Sequence, residues 1–301
     1  MGDAAGADAA AGADAAAGDA AGDAAVGTRC DSIEGQEVTK AVHIVMDVTW
    51  PATLSVEAGS GQVHLWMKFV TTVNGGVVTG ASYSCGTQLP ITTLTLAGEL
   101  VTGGTNLHIE LPLSIWDSPS MPVFNITGTM SGWNVGDTLD MDPSPGLMGL
   151  TMDNPDAPWP DLYNGSTGLT PQDHDGDGTP GLTAVPKTDQ PGFVNPPTAL
   201  GAFGTQPGAD EVYMVFRSKM QLSGTAVSCA EEEGTVDVLN LDNHVIGCHV
   251  AGGGECETAQ WDFVDTNRAK YSPTPGGATY ASRTIDGGST CAQVRAVLPA
   301  I

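Results

Sequence analysis

Beyond residue 37 the chain alternates apolar and polar positions in short runs, with little repetition at helical spacing. The clearest run is 63–73, where His64, Trp66 and Lys68 interleave with Leu65, Met67 and Phe69. A period of two puts successive side chains on opposite faces of an extended chain, so the run predicts a strand. Asn74-Gly75-Gly76 follows, with residue types that suit a tight hairpin turn. The same reading predicts strands over 38–50, 77–85, 91–96, 107–116 and 123–130, with Gly59-Ser60-Gly61 as a turn. Later strands are predicted over 211–222, 225–229, 235–241, 244–248, 258–264 and 278–285. Residues 289–298 read as a short terminal helix, with Ser289 or Thr290 as its N-cap.

These elements predict an all-β fold, an antiparallel β-barrel or β-sandwich with a short C-terminal helix. Segment 78–85 matches 222–229: each has an apolar residue, a hydroxyl, Gly, three residues and Ser-Cys. The match suggests two related hairpin sheets, although a chance likeness in a Gly/Ser/Thr-rich chain explains it equally well. Between them, about 142–210 has no period and is punctuated by prolines from Pro143 to Pro207. So long a loop inside a compact domain is rare and usually has a task or an internal tie.

Residues 2–28 are almost purely Ala, Gly and Asp, with no apolar face to bury. They predict a disordered, self-repelling spacer, so 1–29 is read as a tether and 30–301 as a single β domain. The 301 residues carry 35 acidic against 10 basic side chains, a net charge of −25. Nucleic-acid binding is excluded as a reading, because phosphate contacts need clustered Lys and Arg. No apolar run reaches transmembrane length. An export signal would have to lie upstream of this chain, and a lipid anchor there would fit the tether.

The six cysteines contain no Cys-x-x-Cys pair, which argues against zinc ribbons and thioredoxin-type sites. An even count in a turn-rich chain predicts three disulfides and an oxidising compartment. Cys248 and Cys256 bracket the turn Ala251-Gly252-Gly253-Gly254 and are expected to pair. By elimination the others would be Cys229–Cys291 and Cys30–Cys85.

The sharpest motif is Asp173-His174-Asp175-Gly176-Asp177-Gly178-Thr179-Pro180-Gly181. Calcium takes six to eight hard oxygens, and Asp at alternate positions puts carboxylates on one side of a tight turn. Asp173, Asp175 and Asp177 are the candidate ligands, with the Thr179 carbonyl. His174 is expected to point away. These nine residues resemble the first half of an EF-hand loop, and more closely the Asp-rich calcium repeats of thrombospondin type 3 and dockerin-like modules. The twelfth position is Ala184 where an EF-hand has Glu, and prolines flank the loop. Remaining ligands would come from elsewhere, with Asp161 and Asp189 nearest. The resemblance implies a weak calcium site.

A second acidic group, Asp140, Asp142, Asp153, Asp156 and Asp161, is interleaved with Trp159 and Tyr163. It reads as loop solvation, or alternatively as a cation site or sugar platform beside Trp133 and Trp159. His108 and Glu110 share one predicted strand face, as an acid–base pair would. No metalloprotease, serine-hydrolase, phosphate-loop or dinucleotide motif occurs.

The Ala/Gly/Asp tether, the Asp173–Pro180 loop, the Ser-Cys strands and the acidity together resemble uncharacterised secreted or lipoprotein-type β proteins of myxobacteria. That resemblance implies the cell surface, the periplasm or the exterior, and no activity. The expectation is a calcium-stabilised, non-enzymatic β protein that binds a small molecule, a glycan or a surface partner. One alternative is a secreted hydrolase acting on glycan or lipid through Glu110, Asp140 or Asp142 with Trp133 and Trp159. Another is a structural or adhesion component. A packed or a hollow β interior would separate these readings.

Overall fold

The computed structural model describes residues 28–96, 99–100, 105–159, 168–199 and 208–298. The proposed tether, apart from Thr28 and Arg29, lies outside them, as do Asp161 and Tyr163.

Eleven strands form one sheet. They are β1 (Glu37–Trp50), β2 (Gly59–Asn74), β3 (Val77–Gln88), β4 (Ile109–Glu110), β5 (Val123–Met130), β6 (Thr138–Met141), β7 (Ser144–Met148), β8 (Leu182–Pro186), β9 (Ala209–Ala226), β10 (Glu231–Val250) and β11 (Ser272–Ile285). All pairings in this sheet are antiparallel. β1 lies between β2 and β11, β10 joins β11 to β9, and β6 pairs with both β9 and β5. β5 returns to β3, which pairs with β2, so eight strands close a ring. A second bridge spans the same gap further along: Gln88 of β3 pairs with Glu110 of β4, Val185 of β8 pairs with Glu110, and Ala184 pairs with Val212 of β9. The fold is thus all-β and barrel-like, and closure removes exposed sheet edges.

Alternation explains the core. Val42, Ile44, Met46 and Val48 of β1 are at most 1% exposed and point inward. Burying such side chains stabilises the fold by about 1.5–3 kcal/mol each. The opposite face of β1 is also covered, because α2 (Cys291–Val297) lies across β1, β2 and β3. There Trp66 Nε1 donates to the Leu298 carbonyl at 2.7 Å, and Thr290 caps the helix as expected.

Several expected elements differ. Gly59 to Gly61 begin β2 instead of forming a turn, since they pair with Val48 to Trp50. Residues 91–96 form two short ladders, Thr92–Thr93 with Asn106–Leu107 and Thr95–Leu96 with Glu99–Leu100. The expected strand over 107–116 stops at Pro112, which opens a 3-10 helix at Leu113–Asp117. Pairs of predicted strands fuse into β9 and β10, whose register irregularities absorb the breaks in alternation. Residues 258–264 are helical: they belong to α1 (Thr258–Asn267), where Gln260 Oε1 accepts from the Glu257 N–H at 2.8 Å. The 142–210 segment is not structureless. It contributes β7 and β8 to the sheet and pairs Leu150–Met152 with Leu169–Pro171.

The proposed repeat does not correspond to equivalent hairpin arms. Val78 pairs with Val73 just after its turn, whereas Leu222 pairs with Val236 ahead of its turn.

Three disulfides form, consistent with an oxidising environment. Cys248–Cys256 is as expected, but the other pairs are Cys30–Cys229 and Cys85–Cys291. Packing, which elimination ignored, decides them. α2 sets Cys291 over β3, while Val135 N–H bonds the Thr28 carbonyl and Cys30 N–H bonds Asn134, bringing Cys30 toward the end of β9. No helix among the described residues is long and apolar enough to cross a membrane.

Candidate metal centre

The Asp loop is built from turns that aim carboxylates inward. Asp173 accepts N–H bonds from Gly176 at 2.6 Å, Asp177 at 3.2 Å and Gly178 at 2.9 Å. Asp177 accepts from Thr179 N at 2.7 Å and from Thr183 Oγ1 at 2.5 Å. Asp175 Oδ2 accepts from Thr183 N at 2.6 Å. Oxygens of Asp173, Asp175 and Asp177 lie within 4.8 Å of one another, the one carboxylate group among the described residues with metal-site spacing.

The electrostatics of this group are unresolved by protein donors alone. Asp175 Oδ1 is buried with no hydrogen-bond donor. Desolvation raises the Asp175 carboxyl above its usual range; the Thr183 N–H opposes this, and the Asp177 charge and a bond to Asp173 add to it. Asp173 shifts the other way: desolvation is outweighed by N–H bonds from Gly178 and Gly176, the contact with Asp175 and the Asp177 N–H. Two touching carboxylates need a shared proton or a cation between them. An oxygen-only donor set of this kind suits a hard divalent ion, so the residues fit one.

Hydrogen bonds and close packing tie the loop to the barrel. Gly181 N–H bonds the Gln172 carbonyl at 2.9 Å, closing the loop base, and Gln172 N–H bonds Gly149 at 2.8 Å. His174 Nδ1 accepts from Gly149 N at 2.9 Å, so it anchors the loop and is turned away from the carboxylates; burial holds its pKa down. Gly149 (φ 74°) and Gly181 (φ 110°) pack on Met214 of β9, where a Cβ at Gly149 would come within 2.7 Å of the Met214 carbonyl. β8 starts immediately after the loop. Of the other expected ligands, Asp189 raises the Lys187 pKa from a distance and is not in the three-carboxylate group. Asp161 lies outside the described residues.

The remaining acidic residues are dispersed. Glu110 pairs with Lys187 at 3.0 Å and His108 at 3.5 Å. Asp142 takes the Thr127 hydroxyl at 2.5 Å, and Asp156 takes Lys219 at 2.7 Å. Trp133 lines a recess with Cys30 and Asp137, whereas Trp159 stacks on His244 at 4.2 Å. The two tryptophans therefore do not form one platform with these carboxylates.

Two further arrangements escaped the sequence reading. Arg217 is 4% exposed on β9 and takes Asp242 Oδ2 at 2.6 and 2.8 Å. It also donates to the Pro155 carbonyl at 3.1 Å and to that of Ala157, tying the insertion to the wall. On the face under α2, His43 stacks on Trp66 at 4.7 Å, and His43 Nε2 lies 3.1 Å from His64 Nδ1. Desolvation, then the neighbouring His64, brings the His43 pKa down to about 4.

Among the described residues, buried apolar side chains line the barrel interior and leave recesses of about 50, 60 and 20 Å³. Phe216 follows Met214, which lines the first, and precedes Ser218, which lines the second. No protein-family model matches the chain, and no curated protein is significantly similar to it.

Proposed function

We propose that this is an exported, non-enzymatic surface or periplasmic β protein that binds a ligand or partner, in which a calcium ion at Asp173, Asp175 and Asp177 pins the long insertion to the barrel wall. The Ala/Gly/Asp segment would serve as its tether, anchored by a lipid upstream. The observation that carries the reading is the convergence of three carboxylates, one with a buried oxygen lacking a donor, in a loop braced on β8 and β9. The ion would add charge neutralisation there, and the Thr179 carbonyl remains the candidate fourth ligand. Three disulfides support the oxidising location. The separate engagement of Glu110 by Lys187 and of Asp142 by Thr127 weighs against the hydrolase alternative. A structural or adhesion role shares the same metal chemistry but adds no binding of a small ligand.

Calcium titration against thermal unfolding tests the metal assignment. With a dissociation constant of roughly 10⁻⁴–10⁻³ M, 10 mM calcium adds about 1.4–2.7 kcal/mol. This corresponds to a rise of about 3–10 °C in Tm for a domain of this size. Asp175→Asn should remove most of the response. A Tm indifferent to millimolar calcium refutes the assignment.

A further inference from the structure

Lys40 lies on the face of β1 that carries Val42 and Ile44, and its side chain is 13% exposed. Its Nζ touches Oε1 of Glu232 on β10, whose side chain is 8% exposed. The strand between them, β11, sets the meeting: Thr284 pairs with Lys40, and Ser282 with Glu232. Ser282 is buried, and its hydroxyl donates to Glu232 Oε2 at 3.1 Å. The other Lys–carboxylate pairs among the described residues, Lys187–Glu110 and Lys219–Asp156, are open to solvent, with carboxylates 42% and 63% exposed.

Two charges in a low-dielectric interior carry a desolvation penalty that their attraction barely offsets. Condensation to an amide removes both charges. Reacting groups held in contact on packed strands also behave as if at very high concentration. The arrangement therefore favours a covalent outcome for this pair and not for the two surface pairs.

We propose that Lys40 and Glu232 condense to an isopeptide bond that joins β1 to β10. A proton passes from Lys40 Nζ to Glu232 Oε1, which leaves a neutral amine beside a carboxylic acid. Nζ then attacks Cδ as a nucleophile and forms the N–C bond. Negative charge gathers on Oε2, where the Ser282 hydroxyl already donates. Nζ gives a second proton to the Oε1 hydroxyl, the Cδ–Oε1 bond breaks, and one water leaves. An ammonium and a carboxylate become an amide and water, with nothing oxidised or reduced. A recess of about 20 Å³ lined by Lys40, Glu232, Tyr280 and Ser282 has room for that water.

The bond would link residues 192 apart in sequence. It would carry a pull on the N-terminal segment from β1 directly into β10. This inference goes beyond the function proposed above and depends on neither calcium nor export.

The mass of the full chain, purified folded and then unfolded with its disulfides reduced, reads the reaction directly. The wild type should be lighter than its sequence by one water. Tandem spectra of its digest should show a branched peptide joining Lys40 to Glu232. Lys40→Arg should restore the full mass and abolish the branch. Ring closure at an Asp-Gly step, such as Asp175-Gly176, also loses one water but gives no branch, so the two are distinguished. If Lys40→Arg does not fold, the wild-type digest still decides. The proposal falls if the wild type keeps its full mass, if the water is lost without a Lys40–Glu232 branch, or if Lys40→Arg loses the same water.

Discussion

The long-strand wall β10–β11–β1–β2–β3 and the insertion wall β7–β8 are held in different ways. The first is built from strands of 12 to 20 residues joined by antiparallel ladders, with α2 covering β1–β3 and tied to them by Cys85–Cys291. The second uses strands of five residues and depends on side chains: Arg217 clasping the 155–157 carbonyls and the Asp loop folding against Thr183. A long alternating strand brings its own backbone partners and apolar face. A short strand in a Pro-rich segment cannot, so polar cross-links take over, among them a carboxylate cluster that could hold a metal ion. The first wall should therefore respond to core substitutions, and the second to charge and metal.

The largest expected effect is in the long-strand wall. Ile44→Ala should cost about 3–4 kcal/mol by loss of buried volume, measured by denaturant unfolding. It should lower the midpoint without calcium dependence. Arg217→Ala should cost about 2–4 kcal/mol, since it strands Asp242 and two carbonyls. Limited proteolysis should then cut first within 142–210. Equal cleavage across β1–β3 would erase the distinction between the walls.

Acid sharpens the comparison from the other side. His43 and His64 both have lowered folded-state pKa values, and desolvation by burial is the leading cause in each. Their unfolded forms bind protons more readily, so their contribution is present above about pH 6.5 and is lost as pH falls toward about 4. The loss from His43 should be on the order of 1–3 kcal/mol after allowance for solvent screening. His43→Phe should flatten stability over that window, as followed by unfolding between pH 7 and 4.

The same contrast explains what could be read in the sequence. β1, β2 and the hairpin after Asn74 were legible because one face is buried and the alternation is clean. β5 was predicted to the residue over 123–130. α1 was missed because Trp261, Phe263 and Val264 mimic a short strand, while its start depends on the Glu257–Gln260 contact. β7 and β8 were missed because their prolines and glycines mask five-residue ladders whose partner, β9, lies far along the chain. The Asp spacing exposed the candidate metal site directly. The bracing by Gly149 and Met214 comes from two distant segments, and only Thr183 lies next to the loop, so most of it carries no local pattern. The cysteine pairing depended on packing in the same way.

The smallest global effect is also the most local. Calcium should tighten the loop, β8 and its attachment to β9 directly, and reach β1–β3 only through the rise in global stability. The decisive measurement is amide hydrogen exchange at Thr183, whose N–H donates to Asp175 at 2.6 Å, compared with Ile44, with and without 10 mM calcium. The account predicts exchange slowed by about tenfold or more at Thr183, as the bound ion stabilises local closure, while Ile44 is slowed only as far as global stability rises. Equal protection of Thr183 in both conditions would contradict it.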